Sequence, residues 1–220
     1  RYFMKRISLF VLAIVVLPAL ADAQTITVGA KGGLNLSWFS GSNWEDYVDA
    51  TEAFYGITID ERPRASFVGG PYLETMFAEN VGVVFEASYA VYGQRYEYTA
   101  MGMDFDGQYW QRAVQLPLLL KLAAGRSGGI YAVVGPTVSF LIGDFEFEES
   151  GGGISVSDSV KPDNPAVLGF LAGVGYEVPL GEGELSFELR YGRNLTDAFD
   201  EDAFDTNTFQ GLIGYGFHVQ

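Results

Sequence analysis

The chain contains no cysteine and only one histidine, His218, and these absences exclude several kinds of site. Without cysteine there is no disulfide framework and no thiolate chemistry, and a lone histidine cannot form a Cys/His zinc site. A serine hydrolase would need a histidine beside its serine, whereas His218 stands near the end of the last predicted strand. Because no nucleophile and base can be paired, we expect no enzyme activity and no cofactor.

Basic residues are also scarce. The chain has 13 lysines and arginines against 28 aspartates and glutamates, which gives a formal net charge of −15 at pH 7. An acidic surface repels nucleic acid phosphates, and the sequence has no basic patch that would reverse the repulsion. The composition therefore excludes a nucleic-acid partner.

Only one long apolar run is present, from Ile7 to Leu17. Lys5-Arg6 precedes it and the small-x-small sequence Ala21-Asp22-Ala23 follows it, which is the order of a secretory signal peptide. The run is shorter than the roughly 20 residues that a spanning helix needs. We predict a signal peptide over residues 1–23, with Met4 as a possible natural start.

Residues 24–220 offer no second run that could span a membrane as a helix, so a membrane role would have to use strands. They are enough for one barrel or sandwich and too few for two comfortable domains. The chain has 15% aromatic residues and 28 glycines. Barrels place glycine where strands bend and aromatics where they meet the membrane interface, so we predict a single barrel domain over 24–220.

Alternation of apolar and polar residues marks the strands. From Ile26 to Trp38 the period of two persists for longer than in an ordinary strand, as a tilted membrane strand requires. The same pattern predicts eight strands in all, over residues 26–38, 66–77, 81–96, 109–123, 130–142, 166–178, 185–193 and 206–219.

Short turns and long connections alternate strictly between these strands. The long connections are residues 41–64, 97–108, 143–164 and 194–205, and the shorter ones contain turn residues such as Glu79-Asn80. Outer-membrane barrels keep short turns in the periplasm and long loops outside. We therefore predict an all-β fold, an eight-stranded antiparallel up-and-down transmembrane β-barrel, with both termini in the periplasm.

The two faces of each strand differ in polarity. One face is apolar and is expected to face lipid, whereas the other carries hydroxyls, amides and isolated charges and is expected to line the lumen. The predicted inner charges are Lys31, Glu74, Glu86, Lys121, Glu188 and Arg190. Isolated charges in a narrow barrel would be costly, so we expect a paired network. A structural plug is favoured over a gated polar conduit.

Aromatic residues stand toward the strand ends, where membrane girdles are expected. The girdle residues are predicted to be Trp38, Tyr89, Tyr109, Trp110, Phe140, Tyr191, Tyr215 and Phe217. Terminal aromatics are what the barrel-assembly machinery recognises, and here they are followed by His218-Val219-Gln220.

Short motifs distributed along the chain resemble one protein family. They are the sequence 28–35 in the first strand, Glu86 after a short turn, the sequence 116–121, Gly135-Pro136, the sequence 173–175 and the sequence 188–192. In order and spacing these motifs resemble the PorT-like outer-membrane β-barrel proteins over nearly the whole mature chain. The resemblance implies an outer-membrane location and an eight-stranded barrel, and it implies little about activity.

Acidic residues cluster in the long connections and are the remaining candidates for a metal site. Asp104-Phe105-Asp106-Gly107 faintly resembles a calcium loop without the rest of its pattern, and Asp200 and Asp202 lie in the last loop. We expect solvated loops, bridged by divalent ions to anionic lipopolysaccharide, rather than a specific metal site.

The leading functional hypothesis is a non-enzymatic outer-membrane barrel with an envelope-structural or surface-interaction role through its loops. A narrow porin-like channel for small solutes and a secreted soluble barrel that binds a ligand remain open as alternatives. The expected partners are outer-membrane lipids, lipopolysaccharide and the barrel-assembly machinery, and the expected state is a monomer.

Overall fold

The structure is a computed structural model that describes residues 25–125, 128–196, 198 and 205–219. The predicted signal peptide over 1–23 lies outside the described residues, as do the weak metal candidates Asp200 and Asp202. The described elements are β1 (Thr25–Ser40), α1 (Ser42–Tyr55), β2 (Ile59–Ala78), β3 (Val81–Glu86), β4 (Ser88–Ala100), β5 (Met103–Ala123), β6 (Gly129–Gly151), β7 (Ile154–Val160), β8 (Ala166–Leu180), β9 (Gly183–Asn194) and β10 (Asp205–Val219).

The strands close into a ring in which every neighbouring pair is antiparallel. The last strand returns to the first, with Ile26 paired to Val219 at one end and Ser40 to Asp205 at the other. β3 and β4 are two parts of one barrel strand, interrupted at Ala87, whose backbone N–H donates to the carbonyl of Pro71 at 3.0 Å. β7 pairs only with the end of β6, so the ring has eight strands and the predicted fold is confirmed.

The two ends of the barrel are built differently. At one end, called the turn end, short turns at residues 79–80 and 181–182 join the strands, and residues 124–125 and 128 lie between β5 and β6. The other end, called the helix end, carries α1 and the extended hairpins β4–β5 and β6–β7. No helix among the described residues is long and apolar enough to cross a membrane.

Three of the long connections predicted for the helix end contain regular secondary structure. The segment 97–108 is a continuous hairpin whose two turn residues, Met101 and Gly102, have φ of 53° and 76°. Positive φ at both positions is the geometry of a two-residue type I′ turn. The segment 143–164 extends β6 and adds β7, and the segment 41–64 contains α1 and the start of β2.

The outer face of the ring is apolar and the inner face is polar, as predicted. Exposed apolar side chains on the outer face, here called the apolar band, include Val28, Leu34, Phe67, Leu120, Ile130, Val134, Phe140, Ile142, Leu168, Val174, Leu189 and Ile213. Fully buried polar side chains on the inner face include Asn35, Ser139 and Gln210. This inverted polarity suits lipid outside the ring and a filled lumen within it.

Candidate functional site: the lumen network and the vestibule

All six charged residues predicted for the lumen lie inside the barrel and form ion pairs with one another or with near neighbours. Arg190 donates to both carboxylate oxygens of Glu86, each at 2.6 Å, and its Nε donates to Glu188. Lys31 Nζ lies 3.2 Å from Glu86 and 3.0 Å from Glu188. These four side chains are therefore one closed group of two cations and two carboxylates.

A second ion-pair group lies around Lys121. Its Nζ is 2.6 Å from Glu74 and 2.5 Å from Glu177. Glu177 on β8 was not among the predicted inner charges, although it lies on the same strand face as Gly173 and Gly175. The two groups together, with all their members, are called the lumen network: Lys31, Glu74, Glu86, Lys121, Glu177, Glu188 and Arg190.

One tyrosine, Tyr131, connects the two groups, and a second, Tyr72, lies beside Lys31. The hydroxyl of Tyr131 donates to Glu188 at 2.7 Å, and Lys121 Nζ lies 4.6 Å from the centre of the Tyr131 ring. Lys31 Nζ lies 4.7 Å from the centre of the Tyr72 ring. Aromatic faces stabilise ammonium groups that have been removed from water, so the tyrosines lower the cost of burying both lysines.

Acidic residues outnumber basic residues in the lumen. Among the described residues, Glu74, Glu177 and Glu184 are the one group that brings three carboxylates within 4.8 Å of one another. Lys121 occupies this group as its cation, through Glu74 and Glu177. The predicted metal candidates Asp104 and Asp106 have other partners, Thr99 at 2.8 Å and Arg95 at 3.2 Å respectively.

Packing fills the lumen around these charges. Glu86 and Arg190 are each 2% exposed, and Glu188 is 3% exposed. Apolar inner-face residues complete the filling in two clusters, Tyr72, Val84, Leu119, Tyr131, Val133 and Leu171 in one, and Val68, Ala90, Tyr92, Ala113 and Leu212 in the other. Side chains thus occupy the middle of the barrel, as is expected for a ring of this size.

At the helix end, α1 leans over the inner face of the extended strands and leaves a cavity of about 530 Å³, here called the vestibule. Aromatic rings dominate its walls: Trp44 and Tyr47 from α1, Tyr96 and Tyr98 from β4, Tyr109 from β5 and Phe147 from β6. The rings pack against one another, with centroids 5.8 Å apart for Trp44 and Tyr109 and 5.0 Å for Tyr109 and Phe147.

Tyr109 was predicted to lie in the membrane girdle, and this prediction was wrong. Neighbouring residues of a strand point to opposite faces, so Tyr109 and Trp110 cannot both face lipid. Trp110 is on the outer face and Tyr109 lines the vestibule. Tyr109 points inward because it lies on the same strand face as Gln111 and Gln115, which are buried in the lumen.

Two carboxylates are set among the aromatic rings. Glu61 accepts hydrogen bonds from Trp44 Nε1 at 2.5 Å and from Gln94 Nε2. Glu149 accepts from the hydroxyls of Tyr96 at 2.7 Å and Tyr98 at 3.1 Å. The described residues that line the vestibule include no lysine, arginine or histidine. The cavity is therefore aromatic and negatively charged.

The surroundings of the vestibule raise the pKa values of its tyrosines Tyr96 and Tyr98. Burial, followed by the charge of Glu149, raises the pKa of Tyr98 to about 12. Burial and the hydrogen bond to Glu149 raise the pKa of Tyr96 as well. Both hydroxyls therefore stay protonated at neutral pH and continue to donate to Glu149.

Comparison with known proteins gives one family match. A family profile described as "Outer membrane protein beta-barrel domain" matches residues 22–200. No curated protein matches the sequence.

Solved structures with a similar fold are distant in sequence. Ail, the attachment invasion locus protein of Yersinia pestis, solved with the heparin analogue sucrose octasulfate, is 14% identical with a TM-score of 0.39, over 88% of this chain and 99% of that chain. Neisserial surface protein A is 14% identical with a TM-score of 0.36, over 87% and 96%. OprG from Pseudomonas aeruginosa is 11% identical with a TM-score of 0.38, over 90% and 98%.

Proposed function

This chain belongs to the family of outer membrane protein beta-barrel domains, and from that membership we propose a closed, non-enzymatic barrel that binds cationic ligands at the cell surface. Its location is the outer membrane. The finer resemblance to PorT-like barrels is kept as part of the proposal. So are a monomeric state, assembly by the barrel-assembly machinery and contact with lipopolysaccharide.

The proposed orientation places the helix end outside the cell and both chain ends in the periplasm. Short turns lie at the other end, at residues 79–80 and 181–182. Outer-membrane barrels keep such turns on the periplasmic side and their longer connections outside. The vestibule would then open to the exterior.

Closure of the lumen rests on the pair formed by Arg190 and Glu86. The pair has two hydrogen bonds of 2.6 Å and is almost completely buried. Opening a water path would separate charges that are held in a region of low dielectric constant, which is costly. This supports a plug over the alternative of a narrow channel. The exposed apolar band opposes the other alternative, a secreted soluble barrel.

The chemistry of the vestibule favours a ligand with an ammonium or guanidinium group. Aromatic faces attract organic cations, and the attraction increases in a partly enclosed site. Glu61 and Glu149 add negative charge, and no basic residue in the described lining opposes it. This combination of rings and carboxylates is the observation that carries the binding proposal.

Conductance tests the closed barrel. The chain is folded in detergent, its gel mobility is compared with and without boiling, and the folded form is inserted into a planar bilayer. A mobility change on boiling without steady single-channel current agrees with a plugged barrel. Steady conductance would instead establish the channel and refute the plug.

Binding is tested with choline and its neutral isostere 3,3-dimethylbutan-1-ol, by ligand-observed nuclear magnetic resonance on the folded protein. We expect choline to bind, the isostere to bind much more weakly, and Glu149→Gln to weaken choline about tenfold. Glu148→Gln is the matched control, because Glu148 is the strand neighbour of Glu149 and accepts from the outer-face Gln108. Equal binding of the two probes, or equal loss in the two variants, would refute the proposal.

A further inference from the structure

Four arginines cluster on the outer wall of the barrel toward the helix end, on β2, β4 and β5. Arg62 and Arg95 are cross-strand partners, and Arg95 and Arg112 both lie near enough to Arg64 to act on it electrostatically. Such a concentration is notable in a chain with 28 acidic and 13 basic residues.

Three of the four arginines have acidic partners. Arg62 Nη2 lies 2.7 Å from Asp60, Arg95 lies 3.2 Å from Asp106, and Arg112 lies 2.9 Å from Glu146. Arg64 forms no ion pair with any acidic residue in the part of the chain that the structure describes. A half-buried guanidinium with two like charges nearby is unfavourable unless an anion joins it.

The local structure holds Arg64 in place. The β-bulge between Pro63 and Val68 changes which residues of β2 point to the outer face. The stem of Arg64 passes over Gly93, where an added Cβ would lie 2.8 Å from Arg64 Cδ. Its guanidinium carbon lies 5.5 Å from the centre of the Trp110 ring. The Arg64 Nε donates to Gln108 at 3.4 Å, which leaves the two terminal amino groups for another acceptor.

The arginine cluster begins where the apolar band stops. Ala65, next to Arg64, pairs with Leu36, and Phe67 pairs with the exposed Leu34. Arg112 pairs with Ile142, an exposed apolar residue that Gly143 follows. The cluster is therefore at the height of the lipid headgroups, with the apolar band beside the acyl chains.

We propose that Arg64, assisted by Arg95 and Arg112, binds a phosphate group on the headgroup of an outer-leaflet lipid. Guanidinium groups bind phosphate oxygens with two parallel hydrogen bonds, and Arg64 is oriented by Trp110 for such a contact. A lipid satisfies both parts of the site, since its phosphate meets the arginines while its acyl chains cover the apolar band. The site rests on the proposed orientation, with the helix end outside the cell, and is independent of the vestibule and its ligand.

The test uses the full mature chain folded in detergent. Native mass spectrometry measures the binding of bis-phosphorylated lipid A and of the same lipid A after removal of its phosphates, with inorganic phosphate as competitor. We expect the phosphorylated lipid to bind more tightly, Arg64→Gln to weaken it about tenfold, and Arg64→Lys to recover part of the loss. The control is Arg193→Gln, at an exposed arginine paired with Asp205 on another part of the wall.

Each other outcome overturns the proposal. Equal binding of the dephosphorylated lipid would remove the role of phosphate. Equal weakening by Arg64→Gln and Arg193→Gln would show a general effect of charge. Displacement of the lipid by millimolar inorganic phosphate would indicate a site for a free anion instead of a lipid. A gel mobility that still changes on boiling verifies that each variant is folded.

Discussion

Arg190 and Glu86 join opposite walls of the barrel through two parallel hydrogen bonds of 2.6 Å. Arg190 belongs to β9 and Glu86 to β3, and the order of strands places these two far apart around the ring. Each side chain is 2% exposed. The pair therefore acts as a cross-brace in the lumen, and its geometry specifies how the two walls face each other.

Removing one partner of this pair is expected to destabilise the barrel strongly. Arg190→Met leaves Glu86 and Glu188 buried with Lys31 as their one remaining basic partner in the described lumen network. Breaking a buried pair in this way costs about 3–5 kcal/mol. Urea unfolding in detergent micelles, followed by gel mobility, measures the loss.

The control for Arg190→Met is Arg193→Met, which removes an exposed arginine from the same strand. The double variant Glu86→Gln with Arg190→Met should regain part of the lost stability, because it also removes an uncompensated charge. Equal stability of the Arg190 and Arg193 variants would contradict the bracing role.

Glycine is required where a lumen tyrosine lies against a strand. An added Cβ at Gly216 would lie 2.2 Å from the Tyr72 hydroxyl and 2.6 Å from Thr27 Cγ2. We expect Gly216→Ala to cost about 1–3 kcal/mol through overpacking. Gly211 lies on the same strand, and the nearest contact of its added Cβ is Leu189 at 3.7 Å. Gly211→Ala should therefore be tolerated, and a reversed order in the same urea titration would refute this account.

The period of two was sufficient to predict the ring and the inner charges, because each strand has one face in lipid and one in the lumen. It failed at the helix end, where the strands leave the apolar band. There the outer face carries the charged residues Arg95, Glu97 and Asp106. The sequence therefore no longer alternates between apolar and polar residues, although the two strands remain hydrogen-bonded to each other. The sequence pattern that still indicates a strand there is on the inner face, where Tyr96 and Tyr98 are alternate residues.

The helix α1 was also missed, although the sequence carries its pattern. Trp44, Tyr47, Val48, Thr51 and Tyr55 all line the vestibule, and their spacing is that of one helical face. Acidic residues elsewhere in the segment made it look like a solvated loop. The arginine cluster could not be predicted, because the spacing of apolar and polar residues along β2 does not reveal the β-bulge that places Arg64 beside Trp110.

Alkaline titration tests the contact between Tyr98 and Glu149. The pKa of Tyr98 is raised to about 12 in the folded state, so the stability that Tyr98 contributes is fully present below its unfolded pKa of about 10. It is lost as the pH rises through about 12. The pKa of Tyr96 is raised as well, so Tyr98→Phe should reduce the amount of tyrosine that titrates late without abolishing it, and Glu149→Gln should shift part of that amount to lower pH. An unchanged amount of late-titrating tyrosine in Tyr98→Phe, measured by the absorbance of tyrosinate, would contradict the assignment.

The turn between β4 and β5 offers a gain in stability. Met101 has φ of 53° and is 98% exposed, so its left-handed backbone is strained and little burial of its side chain offsets that strain. Asparagine tolerates positive φ and forms the favoured type I′ sequence with the following Gly102. Met101→Asn should therefore stabilise the hairpin by about 0.5–1 kcal/mol.

The gain is expected to be local, because this hairpin extends beyond the ring. Proteolysis of the folded protein in detergent is the measurement, with cleavage within residues 96–108 as the signal. Gly102→Ala is the opposite control, since alanine is strained at the φ of 76° and should accelerate cleavage. Tyr96 and Tyr98 lie in the same hairpin, so a tighter turn should also hold the vestibule wall more rigidly. Unchanged cleavage in both variants would mean that the turn does not limit the opening of the hairpin.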